Sequence, residues 1–211
     1  MATDYKVEQG DHMVKIAAKF GFGDFNTIWN HPNNADLKKK RENPNVLFPG
    51  DSLHVPDKKQ KKESKPTDAS HKFKAQRPKL LLKLVLKGID RKPLANTKIT
   101  LKVEGESFDL TTDGNGALQQ KVRPTAENGK VFIRDLAVEA TLKIGHLDPV
   151  DEVSGWRARL NNLGYNAGGK DDPADPKVKS AVEEFQCDQK LDVTGEMNKA
   201  TQDKLKEQHG C

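Results

Sequence analysis

Ser154–Tyr165 reads SGWRARLNNLGY, followed by NAGGKDDPADP at 166–176 and KVKSAVEEFQCDQKLDVTGE at 177–196. Val153, Trp156, Leu160 and Leu163 recur at spacings of three and four, which places them on one face of a helix that stops around Gly164. A glycine-rich, acidic loop comes next. Pro176 suits the first turn of a second helix, whose apolar face is Val178, Ala181, Val182 and Phe185. Leu191 and Val193 lead into a turn at Thr194-Gly195-Glu196, and a third helix carries Met197, Ala200, Thr201 and Leu205. Residues 148–211 are thus expected to form a three-helix bundle.

Upstream, the periodicity changes. Within 79–147, LLLKLVLKG and KITLKVEG alternate at period two, with Pro93-Leu94-Ala95-Asn96 marking a corner between them. SFDLTTDGNGALQQKV adds two strands about Asp113-Gly114-Asn115-Gly116, read as a tight hairpin, and KVFIRD and ATLKIGHL supply further strands. The expected fold is a small antiparallel β-sandwich. DGNG is not read as a calcium loop, because the glutamate at the twelfth position is missing and the flanks are strands.

Residues 58–78 carry many lysines and almost no apolar side chains, the composition of a basic flexible linker. Residues 1–57 form a third unit. Tyr5 and Val7 alternate as a strand, and Asp11 is a candidate N-cap for a helix through Met13, Ile16, Ala17 and Phe20. A second helix starts near Asp24, pauses at His31-Pro32 and resumes through Leu37, before a last strand at Ser52–Pro56. The order is β-α-α-β, and the whole chain is expected to be a multidomain α+β protein.

Three resemblances attach to these segments. YKVEQGDHMVKIAAKFGF with NPNVLFPGDSLHVP resembles a LysM domain, although HPNNADLKKKREN lengthens the usual connection. The resemblance implies binding of N-acetylglucosamine-containing glycans in a shallow groove, with Gly10, Asp11, His12 and Met13 on one wall and Asn45, Val46, Leu47 and Phe48 on the other. GIDRKPLANTKITL is similar to a phrase of small prealbumin-like β-domains, which implies a spacer and no ligand. SGWRARLNNLGY, AVEEFQ, LDVTGE and ATQDKL together resemble the three-helix peptidoglycan-binding domain found beside many wall hydrolases. DDPADPKVK stands where that family usually has a DG-x-F-G-x-x-T turn. The resemblance implies wall contacts at Asn166, Asp171, Asp172, Gln186, Thr194 and Glu196, with Phe185 a core residue.

Composition agrees with several thin cores in 211 residues: 34% of them are apolar and 32% charged. The net charge of +5 suits an anionic partner, but the excess gathers in the linker. Phe73 is the one aromatic ring of Phe, Trp or Tyr type among its lysines, too few to stack a row of bases, so nucleic acid is not the expected partner. No run approaches the ~18 apolar residues of a membrane span, and MATDYKVEQGD lacks the regions of a secretory signal.

Catalytic groups are not assembled. The six histidines are dispersed without an HExxH or comparable triad, so neither a metal nor a cofactor is expected. Cys187 lacks a nearby histidine signature, and Cys211, the last residue, is expected to be loose, with no rigid setting to lower its pKa; both a single disulfide and two free thiols remain open. Glu183 and Glu184 are adjacent on a helix and point about 100° apart, unlike an acid–base pair. The expectation is a non-enzymatic protein of the bacterial envelope or periplasm that binds peptidoglycan at both ends, reached without an evident signal peptide after synthesis in the cytoplasm. The alternative is a structural adaptor of a contractile injection system, type VI secretion-like or phage-tail-like, with secretion-apparatus proteins as partners.

Overall fold

The computed structural model describes residues 2–59, 62, 64–72 and 78–211. Part of the expected linker, residues 60, 61, 63 and 73–77, therefore lies outside the described residues. Those of residues 58–72 that are described are solvent-exposed. The chain mixes helices with antiparallel sheets, and its buried apolar residues fall into three clusters.

The first cluster lies between a two-stranded sheet and short helices. β1 (Thr3–Lys6) pairs antiparallel with β2 (Ser52–Val55) in the register Tyr5 opposite Leu53. Between them run α1 (Met13–Lys19), α2 (Asn26–Trp29), a 3-10 turn at Pro32–Asn34 and α3 (Ala35–Arg41). Met13, Ile16, Ile28 and Leu53 are fully buried there; removing each from water contributes on the order of 2 kcal/mol. The expected cap is corrected: His12 is the N-cap, its Nδ1 accepting from the Lys15 N–H, while the Asp11 carboxylate takes the Tyr5 hydroxyl at 2.6 Å and the Glu8 N–H at 3.0 Å. Arg41 and Asp51 close this unit with a buried bidentate pair at 2.7 and 2.9 Å.

The second cluster is sandwiched between two sheets. β3 (Leu80–Val85) pairs with β6 (Ala117–Val122), and β5 (Glu106–Thr111), β4 (Lys98–Val103), β7 (Asn128–Ile133) and β8 (Val138–Lys143) form a four-stranded sheet in that order. Ile99, Leu101 and Val131 point inward to meet Leu118 and Val122. The DGNG hairpin expectation is corrected, because β5 and β6 belong to different sheets. Asp113 Oδ1 accepts the N–H groups of Asn115 and Ala117, both at 2.8 Å, so the turn carries the chain across the sandwich.

The third cluster joins α4 (Val153–Asn162), α5 (Pro176–Asp188) and α6 (Lys199–His209) around Trp156, Leu160, Val182, Phe185 and Leu205. Asp175 and Asn198 cap α5 and α6 through side-chain oxygens, and Pro176 occupies the first turn of α5. Gly155 is required by close packing. A methyl group there would overlap the carbonyl oxygens of Asp148 and Pro149.

Ion pairs connect the three clusters. Lys15 Nζ reaches Glu127 at 2.6 Å, Lys206 Nζ reaches Glu42 at 2.9 Å, and Arg91 reaches Glu184 and Asp188. Among the described residues no helix is long and apolar enough to cross a membrane.

Candidate glycan-binding site

The loop between α4 and α5 is shaped by two side chains of α4. Arg157 donates Nε–H to Asp171 at 2.6 Å and Nη1–H to the Gly168 carbonyl at 2.9 Å. Asn161 donates to the same carbonyl and accepts from the Ala167 N–H, both at 2.9 Å. With its backbone held in this way, the loop leaves Asn166 exposed beside α5. Asn166 then shares a surface cleft with Pro176, Lys177, Ser180, Ala181 and Glu184.

The α5 residues of this cleft stand at positions 177, 180, 181 and 184, one stripe of a helix. An amide, an ammonium, a hydroxyl and a carboxylate surround a small apolar floor of proline and alanine. That set matches the donors and acceptors of a sugar hydroxyl or acetamide while covering one apolar face of it. Arg91, projecting from the middle unit, holds Glu184 at the edge of the cleft.

The residues singled out from sequence are dispersed about this geometry. Asn166 lines the cleft. Asp171 is engaged by Arg157, and Asp172 caps its own turn through the Ala174 N–H at 2.9 Å. Gln186 is corrected: it is completely buried. Its Nε2 lies 3.1, 2.9 and 3.0 Å from Thr194 Oγ1, the Glu196 carbonyl and Thr201 Oγ1, and its Oε1 accepts the Thr194 and Gly195 N–H groups at 2.9 and 3.0 Å. With both ends of its amide occupied, it fixes the loop before α6 and has nothing left for a ligand. The side chains of Thr194 and Glu196 are exposed on that loop, away from the Asn166 cleft. Phe185 is a core residue, as its periodicity requires.

Lys177, Ser180 and Glu184 were not expected as binding residues from the sequence. Their signal was there, as the polar stripe of α5 beside the acidic loop, but such stripes are common on solvated helices.

Residues 150–205 match the family model described as "Putative peptidoglycan binding domain". The C-terminal unit is thus similar to a peptidoglycan-binding domain over these residues. No LysM match is found for the N-terminal unit. No curated protein and no solved structure matches the chain. The cleft at Asn166 lies wholly inside the matched residues.

At the N-terminal unit the Met13 N–H donates to the carbonyl of Pro44, the residue before the second expected groove wall, at 3.0 Å. Most of the residues expected on the two walls, however, are buried. Gly10, Asp11, His12, Met13, Val46 and Leu47 are buried, Phe48 is half-buried and Asn45 is exposed. The Gly10–His12 edge lies under the middle unit. Gly145 approaches so closely that a methyl group on it would stand 2.8 Å from the Gly10 carbonyl, and the His146 ring covers Gly10 itself. Burial and the neighbouring Lys15 ammonium push the His12 pKa down to about 4, so its ring is neutral near pH 7.

The cysteines are unpaired. Cys187 is exposed, while Cys211 is partly buried beside His209, with the Arg159 Nε–H bonded to its carbonyl at 2.8 Å. The expectation of a loose chain end is thereby corrected. Burial raises the Cys211 thiol pKa, the opposite of what a nucleophile needs. Among the described residues no group of His, Cys, Asp and Glu side chains is placed to hold a metal ion.

Proposed function

We propose that this chain is a non-catalytic anchor of the bacterial envelope that grips peptidoglycan through the cleft of its C-terminal domain. A LysM-like N-terminal unit would offer a second, weaker contact to N-acetylglucosamine-containing glycan. The observation that carries the reading is the coincidence of the family match at 150–205 with a cleft whose polar groups suit an amidated sugar. Asn166 and Ser180 bond acetamide and hydroxyl groups, and Lys177 attracts a carboxylate of the stem peptide or lactyl ether. The shallowness of the surface implies weak binding per site, which linkage to a second site strengthens through effective concentration.

At the N-terminus the open part of the groove is the Asn45 rim, since the other wall is covered by the middle unit. Binding there is therefore expected to be subordinate. Lys15, bonded to both Gly10 and Glu127, holds that cover in place.

The experiment is co-sedimentation with insoluble peptidoglycan. Wild type should pellet, Asn166→Ala with Ser180→Ala should lose most of its retention, and Asn45→Ala should lose less. A full-length chain that stays in the supernatant at low salt would overturn the proposal. Release of soluble muropeptides by the purified chain would overturn its non-catalytic part.

A further inference from the structure

The four-stranded sheet has an outer face that the peptidoglycan reading leaves unused. The register sets Lys98, Thr100 and Lys102 of β4 beside Lys130 and Phe132 of β7, and Glu139, Thr141 and Lys143 of β8 continue the same face. Asp109 of β5 lies opposite Thr100, and Arg134 reaches over both, with its guanidinium 2.9 Å from Thr100 Oγ1 and 2.5 Å from Asp109. Thr100, Lys102, Lys130, Phe132, Arg134 and Glu139 line a depression on this face.

Five cations share the face with two carboxylates. Both carboxylates are already engaged: Asp109 is held below its usual range by the Thr100 hydroxyl and Arg134, and Glu139 by Lys130 at 2.6 Å. Among the described residues, Lys98, Lys102 and Lys143 have no ion-pair partner within 4 Å. Phe132 is 38% exposed at the centre, where an aromatic ring has no packing reason to face water. One ring with no second ring beside it does not form the stacking row that a nucleic-acid strand uses. Lysines spaced along strands around a single ring fit a charged sugar chain, whose anions pair with the lysines while one pyranose face lies on the phenyl group.

We propose that this face binds a polyanionic glycan, independently of the C-terminal cleft. In an envelope such a surface would add affinity for charged polymers lying alongside peptidoglycan, and its occupancy would fall as ionic strength rises.

The test measures binding of the full chain to soluble polygalacturonate, with dextran sulfate, neutral dextran and a single-stranded oligothymidylate as comparisons. Wild type should bind the two charged glycans, bind neutral dextran negligibly, and weaken as salt is added. Lys102→Glu with Lys143→Glu should weaken polygalacturonate binding by at least about tenfold, and Phe132→Ala should weaken it more than it weakens binding of inorganic polyphosphate, which has no sugar face. Far-UV circular dichroism checks that these surface variants fold, and Lys102→Gln with the wild-type salt titration covers any that does not. Equal binding of neutral dextran, indifference to charge reversal, or tighter binding of the oligonucleotide than of polygalacturonate would each overturn the proposal. Co-sedimentation of the same variants with peptidoglycan stripped of charged polymers should match wild type, so failure here is separable from failure of the C-terminal cleft.

Discussion

The guanidinium of Arg91 stacks 4.1 Å from the ring centroid of Tyr165, and its Nη1–H donates to Asp188 at 2.7 Å. Asp188 also accepts the Tyr165 hydroxyl at 3.0 Å, so one arginine from the middle unit reaches both the aromatic ring and the carboxylate that the ring serves. Burial first, and then the Asp188 carboxylate, pushes the Tyr165 pKa up to about 12. Removing Arg91 takes away the one nearby cation that opposes this. Arg91→Ala should cost only about 1 kcal/mol, since the arginine is partly solvated. Hydrogen exchange should quicken at Gly88–Lys92 and at residues 184–189 together, and a change confined to either segment would show that the two units are not coupled there.

The buried pair of Arg41 and Asp51 should respond far more strongly. The desolvation of Asp51 would raise its pKa, but the Arg41 hydrogen bonds, the Phe48 N–H and the charges of Arg41 and Lys40 outweigh it and hold the carboxyl below its usual range. Arg41→Ala strands that carboxylate and should destabilise the N-terminal unit by about 3–5 kcal/mol in urea denaturation. The contribution of Asp51 is present above the carboxylate range of the unfolded chain. It is lost as pH falls through the lowered native value.

His12 predicts a second pH effect at higher pH. Its folded pKa of about 4 lies below the unfolded value of 6.5, so the unfolded chain gains a proton first. Stability should decline as pH drops from about 6.5 towards 4, by up to about 1.4 kcal/mol per pH unit. The groups facing the ring are Lys15 and Asp11 on its own segment and the Pro124 carbonyl on the middle unit. His12→Asn keeps a capping side chain, so it should flatten this part of the pH–stability curve without removing the helix. His209, whose pKa burial and Arg159 also push down to about 4, should leave a residual slope of the same sign.

Gln186→Leu keeps the volume of the side chain but leaves the Thr194 and Gly195 N–H groups without their acceptor. The expected cost is about 2–4 kcal/mol from the stranded backbone donors. Nuclear magnetic resonance should show the 191–198 loop broadened while α5 keeps its helical shifts. A loop left unchanged would show that the packing of Thr201 and Leu205 is enough to hold it.

Gly155→Ala tests the close packing of α4 against the Asp148 and Pro149 backbone. Alanine normally favours a helix by about 1 kcal/mol over glycine, but here its methyl meets the carbonyls of Asp148 and Pro149. The variant should therefore melt at a lower temperature than wild type in scanning calorimetry and lose peptidoglycan retention with it.

Local pattern was enough for much of this protein. The i, i+3, i+4 recurrence of Trp156, Leu160, Val178, Val182 and Phe185 placed the C-terminal helices and their buried faces, and period-two alternation placed the strands around Ile99, Leu101 and Val131. Both succeed because one face of each element must leave water, and that demand is written in residue spacing. Partnership was not written there. Which sheet receives β6, why Gln186 turns all its hydrogen bonds inward, and how His146 comes to cover Gly10 depend on contacts between residues far apart in the chain. A polar side chain on a helix has the same spacing whether it meets a sugar, a loop or water, so only tertiary packing decided that Ser180 faces outward and Gln186 does not.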